Sequence, residues 1–309
     1  MLLCLSNRMI FMNKMCKACG NTAEFFVTSF DYNKKISDEE FQYYKCSDCN
    51  YIFLDPIPDD IGRFYPTEYY AIPKTTSELA STAKRLQQWK IDTVLRFAQK
   101  GRLLEIGPAY GLFAYLAKQA GFDVTGIEMD HKCCEFLRGT VGINVVEDAD
   151  TVSALAKQQP FDVIVMWQVF EHLPDPWAVL AAAAERLAPG GVIILDTPNP
   201  DAFQFKVLGH RWAHLDAPRH VTLIPAKLLV EKGRAHGLLP ALLTASDVSA
   251  NGFNGFGWAF SFKNYFGDGI MGRVSHFVGR ALGKLLIPIE RTGWRGSTYT
   301  AVLRKEQGA

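Results

Sequence analysis

The chain has 309 residues, 48% of them hydrophobic and 21% charged, and a formal net charge of +1. That length suits one large α/β domain with an appendage or two modest domains, and near-neutrality gives no global attraction to nucleic acid or to an anionic surface, leaving only local patches for either. No apolar run approaches the roughly 18 residues that span a bilayer, and "MLLCL" is too short for a secretory signal and lacks its basic flank. A cytoplasmic protein is expected, with residues 1–13 as a tail in which Met12 is an alternative start, as is Met15 just beyond it.

Residues 14–53 hold two C-x-x-C knuckles, "CKACG" and "CSDCN", separated by 26 residues. In each knuckle two thiolates converge while the backbone turns back, and four sulfurs match the closed tetrahedral shell of a structural zinc site. Between them "TAEFFVTSFDYN" and "FQYYKC" carry the aromatic and β-branched residues of short strands. The expectation is a zinc ribbon with Cys16, Cys19, Cys46 and Cys49 as ligands and no open position for catalysis. Cys4, Cys133 and Cys134 stand outside this set.

Residues 54–98 read as a linker followed by a helical lid. Prolines break regular structure in "LDPIPDDIGRFYPTEYYAIP", and Tyr65, Tyr69 and Tyr70 either pack between the ribbon and the main domain or fold over a site. From Ser77 to Ala98 a helical pattern offers Leu79, Leu86, Trp89, Val94 and Phe97 as a buried face.

From residue 99 strands and helices alternate. "GRLLEIG", "DVTGIEMD", "INVVED", "FDVIVMWQVF" and "GVIILDTP" read as strands, with "LFAYLAKQAG", "CCEFLRGTVG" and "AVLAAAAERLAPGG" as crossover helices. Apolar strands with crossovers predict a mostly parallel sheet covered on both faces, with ligands at the carboxyl ends of its strands. In "LLEIGPAYGLF", Gly107 and Gly111 allow a tight turn and leave backbone N–H groups free to meet a ligand. The spacing is not that of a dinucleotide turn, and Glu105 would repel a pyrophosphate but welcome a cation. Glu128 lies 21 residues beyond Gly107, suited to ribose hydroxyls, and Asp148 follows the third strand, suited to an adenine amino group. A nucleoside with a cationic amino-acid arm and no phosphate fits these features, and S-adenosylmethionine is such a molecule.

Taken in order, "LLEIGPAYGLF", "GIEMD", "EDA", "FDVIVMWQVFEHLPDP" and "LAPGGVIILDTPNP" resemble a class I S-adenosylmethionine-dependent methyltransferase over residues 103–198. The resemblance implies a Rossmann-like seven-stranded sheet with helices on both faces. It places Glu105 and Gly107 near the methionine arm, Glu128 on ribose, and Asp148 with Ala149 near adenine. Gly111, Met129 and Trp167 complete the cofactor set. Ala109 departs from a common E-x-G-x-G form, at little cost unless its φ is positive.

Acceptor chemistry is expected after the fourth and fifth strands. "QVFEHLPDP" supplies Glu171 and His172. In ubiquinone-pathway-like O-methyltransferases a similar acidic-histidine cluster can hold a divalent ion; Gln168 stands here in place of an acid, which disfavours a metal, and His172 is a general base or a residue closing a helix cap. "GHRWAHLDAPRHVTLIP" adds His210, His214 and His220, side chains whose ordinary pKa lies near neutrality. His214 and His220 are assigned to the acceptor side, together with His172. The run also resembles stretches of bacterial methyltransferases of polysaccharide and natural-product pathways.

Residues 252–292 mix glycine with aromatics and then show a basic amphipathic helix. They read as an insertion before a final antiparallel strand, "STYTAVLR", and serve as a lid, a dimer surface or a peripheral membrane contact. The expected function is O- or C-methylation of a small-molecule or lipid- or sugar-linked acceptor. An RNA methyltransferase is disfavoured, because Lys17, Lys34, Lys35 and Lys45 of the ribbon are offset by Glu24, Asp31, Asp38, Glu39, Glu40 and Asp48. A cofactor-binding regulator without catalysis is the remaining alternative.

Overall fold

The computed structural model describes residues 12–66, 72–267 and 269–307. Most of the N-terminal tail, and Tyr69 and Tyr70 of the aromatic linker, lie outside the described residues.

The N-terminal segment forms β1 (Lys14–Met15), β2 (Thr22–Ser29), β3 (Phe41–Cys46) and β4 (Ile52–Leu54), each antiparallel to the next. The linker leads to α1 (Thr76–Leu95), where the Thr75 hydroxyl accepts the Glu78 N–H and the Glu78 carboxylate accepts the Lys74 N–H. This reciprocal pattern satisfies donors that a helix start otherwise leaves open. Leu79, Ala83, Ile91 and Val94 are buried along one stripe, while Leu86, expected on the same face, sits at its edge and is 44% exposed.

The alternation that follows is β5 (Gly101–Ile106), α2 (Leu112–Gln119), β6 (Phe122–Glu128), α3 (His131–Phe136), β7 (Asn144–Glu147), α4 (Thr151–Ala156), β8 (Phe161–Trp167), α5 (Pro176–Glu185) and β9 (Leu187–Pro198). Then come α6 (Phe203–Leu208), β10 (Thr222–Leu223), α7 (Ala226–Arg234), β11 (Leu238–Thr244), α8 (Val248–Phe266), α9 (Ile270–Glu290) and β12 (Thr298–Lys305). The main sheet has seven strands in the order β11-β12-β9-β8-β5-β6-β7. β5 to β9 run parallel, and β12 enters antiparallel between β9 and β11.

One face of this sheet carries α1 and α2 over Leu103, Val124, Val163, Val165 and Ile194. Leu104, Ile106, Ile164 and Leu195 point the other way, into a core that includes Leu180 of α5, Leu229 of α7 and Tyr51 and Phe53 of the small sheet. Burial on both faces explains why these strands are near-continuous apolar runs.

Two features escape the sequence pattern. β11 has proline and polar neighbours and pairs only at the sheet edge. β10 is two residues long, yet it pairs with β4, so the small sheet takes its fifth strand from the histidine-rich run far along the chain.

Candidate functional site

The turn after β5 is strained where the ligand is expected. Gly107 and Gly111 have φ of +68° and +77°, and a Cβ on either would lie within 2.7 Å of Val169 or 2.5 Å of Leu137. Ala109 also has a positive φ, +49°, so the condition under which alanine is costly holds, at roughly 1–2 kcal/mol for an L-residue in the left-handed region. Its N–H donates to the Glu128 carboxylate at 2.9 Å, which holds the turn against the end of β6.

Beside the turn lies a cavity of about 170 Å³, lined by Gln87 and Lys90 of α1, Glu105, the Gly107–Gly111 turn, Phe113 and Trp167. It is smaller than the roughly 300 Å³ or more of a whole-ligand pocket, so it accommodates one arm of an extended ligand. Among the described residues, three buried polar atoms on its lining lack hydrogen-bond partners: Gln87 Oε1, Glu105 Oε2 and Trp167 Nε1. Unpaired buried polar groups are costly, and three around one cavity mark where a polar ligand belongs.

Burial pushes the Glu105 carboxyl up to about 8 against the pull of Lys90, and burial lowers Lys90 to about 8 while Glu105 opposes it. The Lys90 ammonium sits 5.2 Å from the centre of the Trp167 ring. Gln87 and Lys90 had no motif to reveal them, because a polar residue on an amphipathic helix reads as solvated.

Glu128 is nearly buried and accepts N–H groups from Ala109, Met129 and Asp130. Burial raises its pKa, and these hydrogen bonds oppose the shift. Met129 is exposed, as is Ala149; the Asp148 N–H donates to the Glu128 carbonyl, and the Asp148 side chain accepts from the Asp150 N–H. These four residues cluster at the neighbouring strand ends, outside the lining of the cavity.

The residues expected on the acceptor side come from two segments. Glu171 and His172 lie in a short helical turn after β8. His220 lies before β10, and its ring meets that of His172 edge-on with centres 4.6 Å apart. His172 Nδ1 is 2.9 Å from both the Arg219 carbonyl and the Tyr65 hydroxyl. Since a carbonyl only accepts, Nδ1 carries the proton and Nε2 the lone pair. By the same reasoning His220 Nδ1 donates to the His214 carbonyl, and its Nε2 lone pair lies 3.9 Å from Glu171 and from Asp216.

Burial lowers His220 to about 3, with the neighbouring His172 adding to the shift, so its neutral form is present throughout the physiological range. Glu171 is pushed up to about 8 by burial; one of its oxygens accepts from Thr197 and the other is unpartnered among the described residues. Ligand atoms of Glu171, His172 and His220 lie within 4.8 Å of one another. His220 therefore supplies the third donor that Gln168 does not, from a segment 52 positions away in the sequence. Gln168 instead holds Asp196, whose carboxyl burial raises to about 7.

His214 stands apart from this group. Its ring is buried among Trp212, Phe253 and Phe256, and Nε2 is 3.0 Å from the Phe253 carbonyl. Its imidazole faces the aromatic packing under α8, and it meets the cluster only through its own carbonyl.

The histidine run is clamped by the small sheet. Arg219 is fully buried and paired with Asp31 and Asp216 at 2.6 and 2.7 Å. Asn33 donates to Asp216 and to the Ala213 carbonyl, Tyr43 donates to the His220 carbonyl, and Leu54 N–H donates to the Val221 carbonyl. The four knuckle cysteines converge at the far end of that sheet. Cys16 and Cys49 sulfurs are 3.7 Å apart and those of Cys19 and Cys46 are 3.5 Å apart. These match the edge of about 3.8 Å expected for a tetrahedron with Zn–S near 2.3 Å. Burial raises the Cys46 thiol, but hydrogen bonds from the backbone of Cys49 and Asp48 and from the Cys19 and Cys49 side chains together bring it down to about 7.

A family model described as a methyltransferase domain matches residues 79–239. A ubiquinone biosynthesis O-methyltransferase of Bordetella avium is 31% identical over 154 residues, covering 46% of this chain and 64% of that protein. One from Pseudomonas fluorescens is 32% identical over 136 residues, covering 42% and 58%. The matched stretches thus span less than two thirds of these relatives' length. The crystal structure of a SAM-dependent methyltransferase from Archaeoglobus fulgidus is 18% identical, with a TM-score of 0.49, covering 74% of this chain and 94% of that one.

Proposed function

The chain belongs to the methyltransferase-domain family, and from that premise we propose that it transfers a methyl group from S-adenosylmethionine to a hydroxyl of a small-molecule acceptor. The observation that carries this reading is the cavity at the end of β5 with its three unpartnered polar atoms beside Glu105 and Lys90. Glu105 would hold the cationic amino end of the methionine arm and Lys90 its carboxylate. Glu128 would hold the ribose hydroxyls, and Met129, Asp148 and Ala149 would border the adenine.

The cofactor supplies an electrophilic methyl on a sulfonium. The chain's own contribution is to hold the acceptor hydroxyl in line and to receive its proton. His220 Nε2 is the base, with His172 beside it, and His214 is a positioning residue that orients His220 through its carbonyl. The His220 imidazole would take the hydroxyl proton as the methyl is transferred, the displaced sulfur keeping the bonding pair. Oxygen is favoured as the acceptor atom because the similar proteins are named O-methyltransferases. A phenolic, sugar or glycolipid hydroxyl is consistent with the site. The four cysteines bind a structural zinc.

A second reading has the Glu171–His172–His220 cluster hold a divalent ion that orients the acceptor, supported by the spacing of its donors. RNA is disfavoured further, since the small sheet commits its β4 edge to β10.

The test is transfer from methyl-labelled cofactor into lipid, polysaccharide, RNA and small-metabolite fractions of a cell extract. Label in a lipid, polysaccharide or metabolite fraction is expected, and His220→Gln should reduce it by about 10²–10⁴-fold with unchanged cofactor affinity. Label in RNA, or cofactor binding without transfer to any fraction, sinks the proposal. Loss of transfer on chelation, restored by a divalent ion without refolding of the cysteine unit, selects the second reading.

A further inference from the structure

Helix α9 buries its small side and exposes its large one. Gly272, Ser275, Gly279 and Gly283 are buried. A Cβ at Gly279 would lie 2.4 Å from the Trp258 carbonyl oxygen, and one at Gly283 would lie 3.3 Å from the Trp258 ring. Close approach of α8 therefore requires the small residues to face inward. The opposite face carries Ile270, Met271, Val274, Phe277, Val278 and Leu285, which are 51–76% exposed. At 100° per residue these six fall within a sector of roughly 120°, and Arg273, Arg280 and Lys284 form a row along one border of it. Scattered apolar side chains on a surface are ordinary, but a continuous stripe marks an interaction site.

The charge around the stripe has one sign. Residues 248–297 contain six basic side chains and two acidic ones, Asp268 and Glu290. Glu290 is buried and accepts from Gln204 and Trp258, so among the described residues this hairpin exposes no carboxylate. With the whole chain at +1, the bias is local.

We propose that this face of the α8–α9 hairpin docks flat on an anionic phospholipid surface. The apolar stripe enters the boundary between headgroups and acyl chains, and Arg273, Arg280 and Lys284 lie at the level of the phosphates. Their long stems cover apolar surface while their charged ends stay hydrated. No helix among the described residues is long and apolar enough to cross a membrane, which agrees with contact from one side. α8 also packs Phe253 and Phe256 on the His214 ring. The docked face is therefore one helix removed from the histidine run.

Flotation of the full chain with phospholipid vesicles tests this without any methyl acceptor, so its outcome is independent of the proposed reaction. The protein should float with vesicles containing phosphatidylglycerol, less with phosphatidylcholine alone, and less as salt is raised. The triple variant Val274→Ser, Phe277→Ser, Leu285→Ser alters only exposed positions; it should lower the bound fraction by about tenfold or more, with cofactor affinity unchanged. Arg273→Gln, Arg280→Gln and Lys284→Gln together should remove the preference for the anionic lipid. No flotation, or flotation that ignores these substitutions, overturns the proposal. So does a dimer in sedimentation velocity that the triple serine variant converts to monomer, because a second copy then covers the face.

Discussion

The cavity after β5 and the histidine cluster that begins after β8 are built in different ways. The cavity is assembled mostly from a single turn and the ends of adjacent parallel strands, with Glu105, Gly107, Ala109 and Gly111 inside seven consecutive residues. The histidine cluster draws Tyr65 from the linker, His172 from the turn after β8 and His220 from the run before β10, and Asp31 of the small sheet reaches it through Arg219. A site made by one turn is robust to distant change. A site made by a clamp depends on every element that closes it.

The largest expected effect tests that dependence. Arg219→Met leaves Asp31 and Asp216 buried without their partner and should cost about 3–5 kcal/mol in urea unfolding. Partial unfolding of the histidine run with cofactor binding intact would confirm that the two regions are separable. Equal loss of cofactor binding in a folded variant would break the comparison. Stripping the proposed zinc from the cysteine unit with a chelator acts at the far end of the same sheet. It should raise proteolytic sensitivity within residues 14–55 and lower methyl transfer, while S-adenosylhomocysteine affinity falls by less, because no residue of the cysteine unit lines the cavity.

On the cavity side, Glu105→Gln should weaken S-adenosylmethionine binding by about 10- to 100-fold in calorimetry, the range for losing one hydrogen bond to a charged group. In the wild type, affinity should be greatest near pH 8 and fall on either side, because burial brings both Glu105 and Lys90 to about 8; the glutamine variant should lose the fall on the acid side. The sign for folding is opposite. A carboxyl whose pKa is raised in the folded state contributes stability below the ordinary glutamate range, and that stability is lost as pH climbs toward about 8. The smallest effect is Ala109→Gly. It should stabilise the protein by about 0.5–1 kcal/mol, relief of the positive φ exceeding the added freedom of the unfolded chain.

Much of this molecule is legible in its sequence because the physics there is local. Parallel strands buried on both faces must be apolar runs, a turn with positive φ favours glycine, and four thiolates on one ion need paired knuckles. Hence the parallel strands β5 to β9, the turn at 107–111 and the convergence of Cys16, Cys19, Cys46 and Cys49 follow from pattern and spacing, while β11 does not. Ala109 shows the limit of that reading, since only the backbone angle reveals what the alanine costs.

Tertiary structure decided what depends on long-range pairing. It brought His220 beside His172 and Glu171, turned His214 into the aromatic packing, and placed Lys90 in the cavity. It also bound the small sheet to the histidine run through β10 and a buried arginine, and turned the apolar side of α9 outward. Apart from the amphipathic period of α9, none of these leaves a periodic trace, because each is set by which surfaces meet after the chain has folded. The turn and its cavity are written along the chain; the histidine cluster exists only once the small sheet has closed on it.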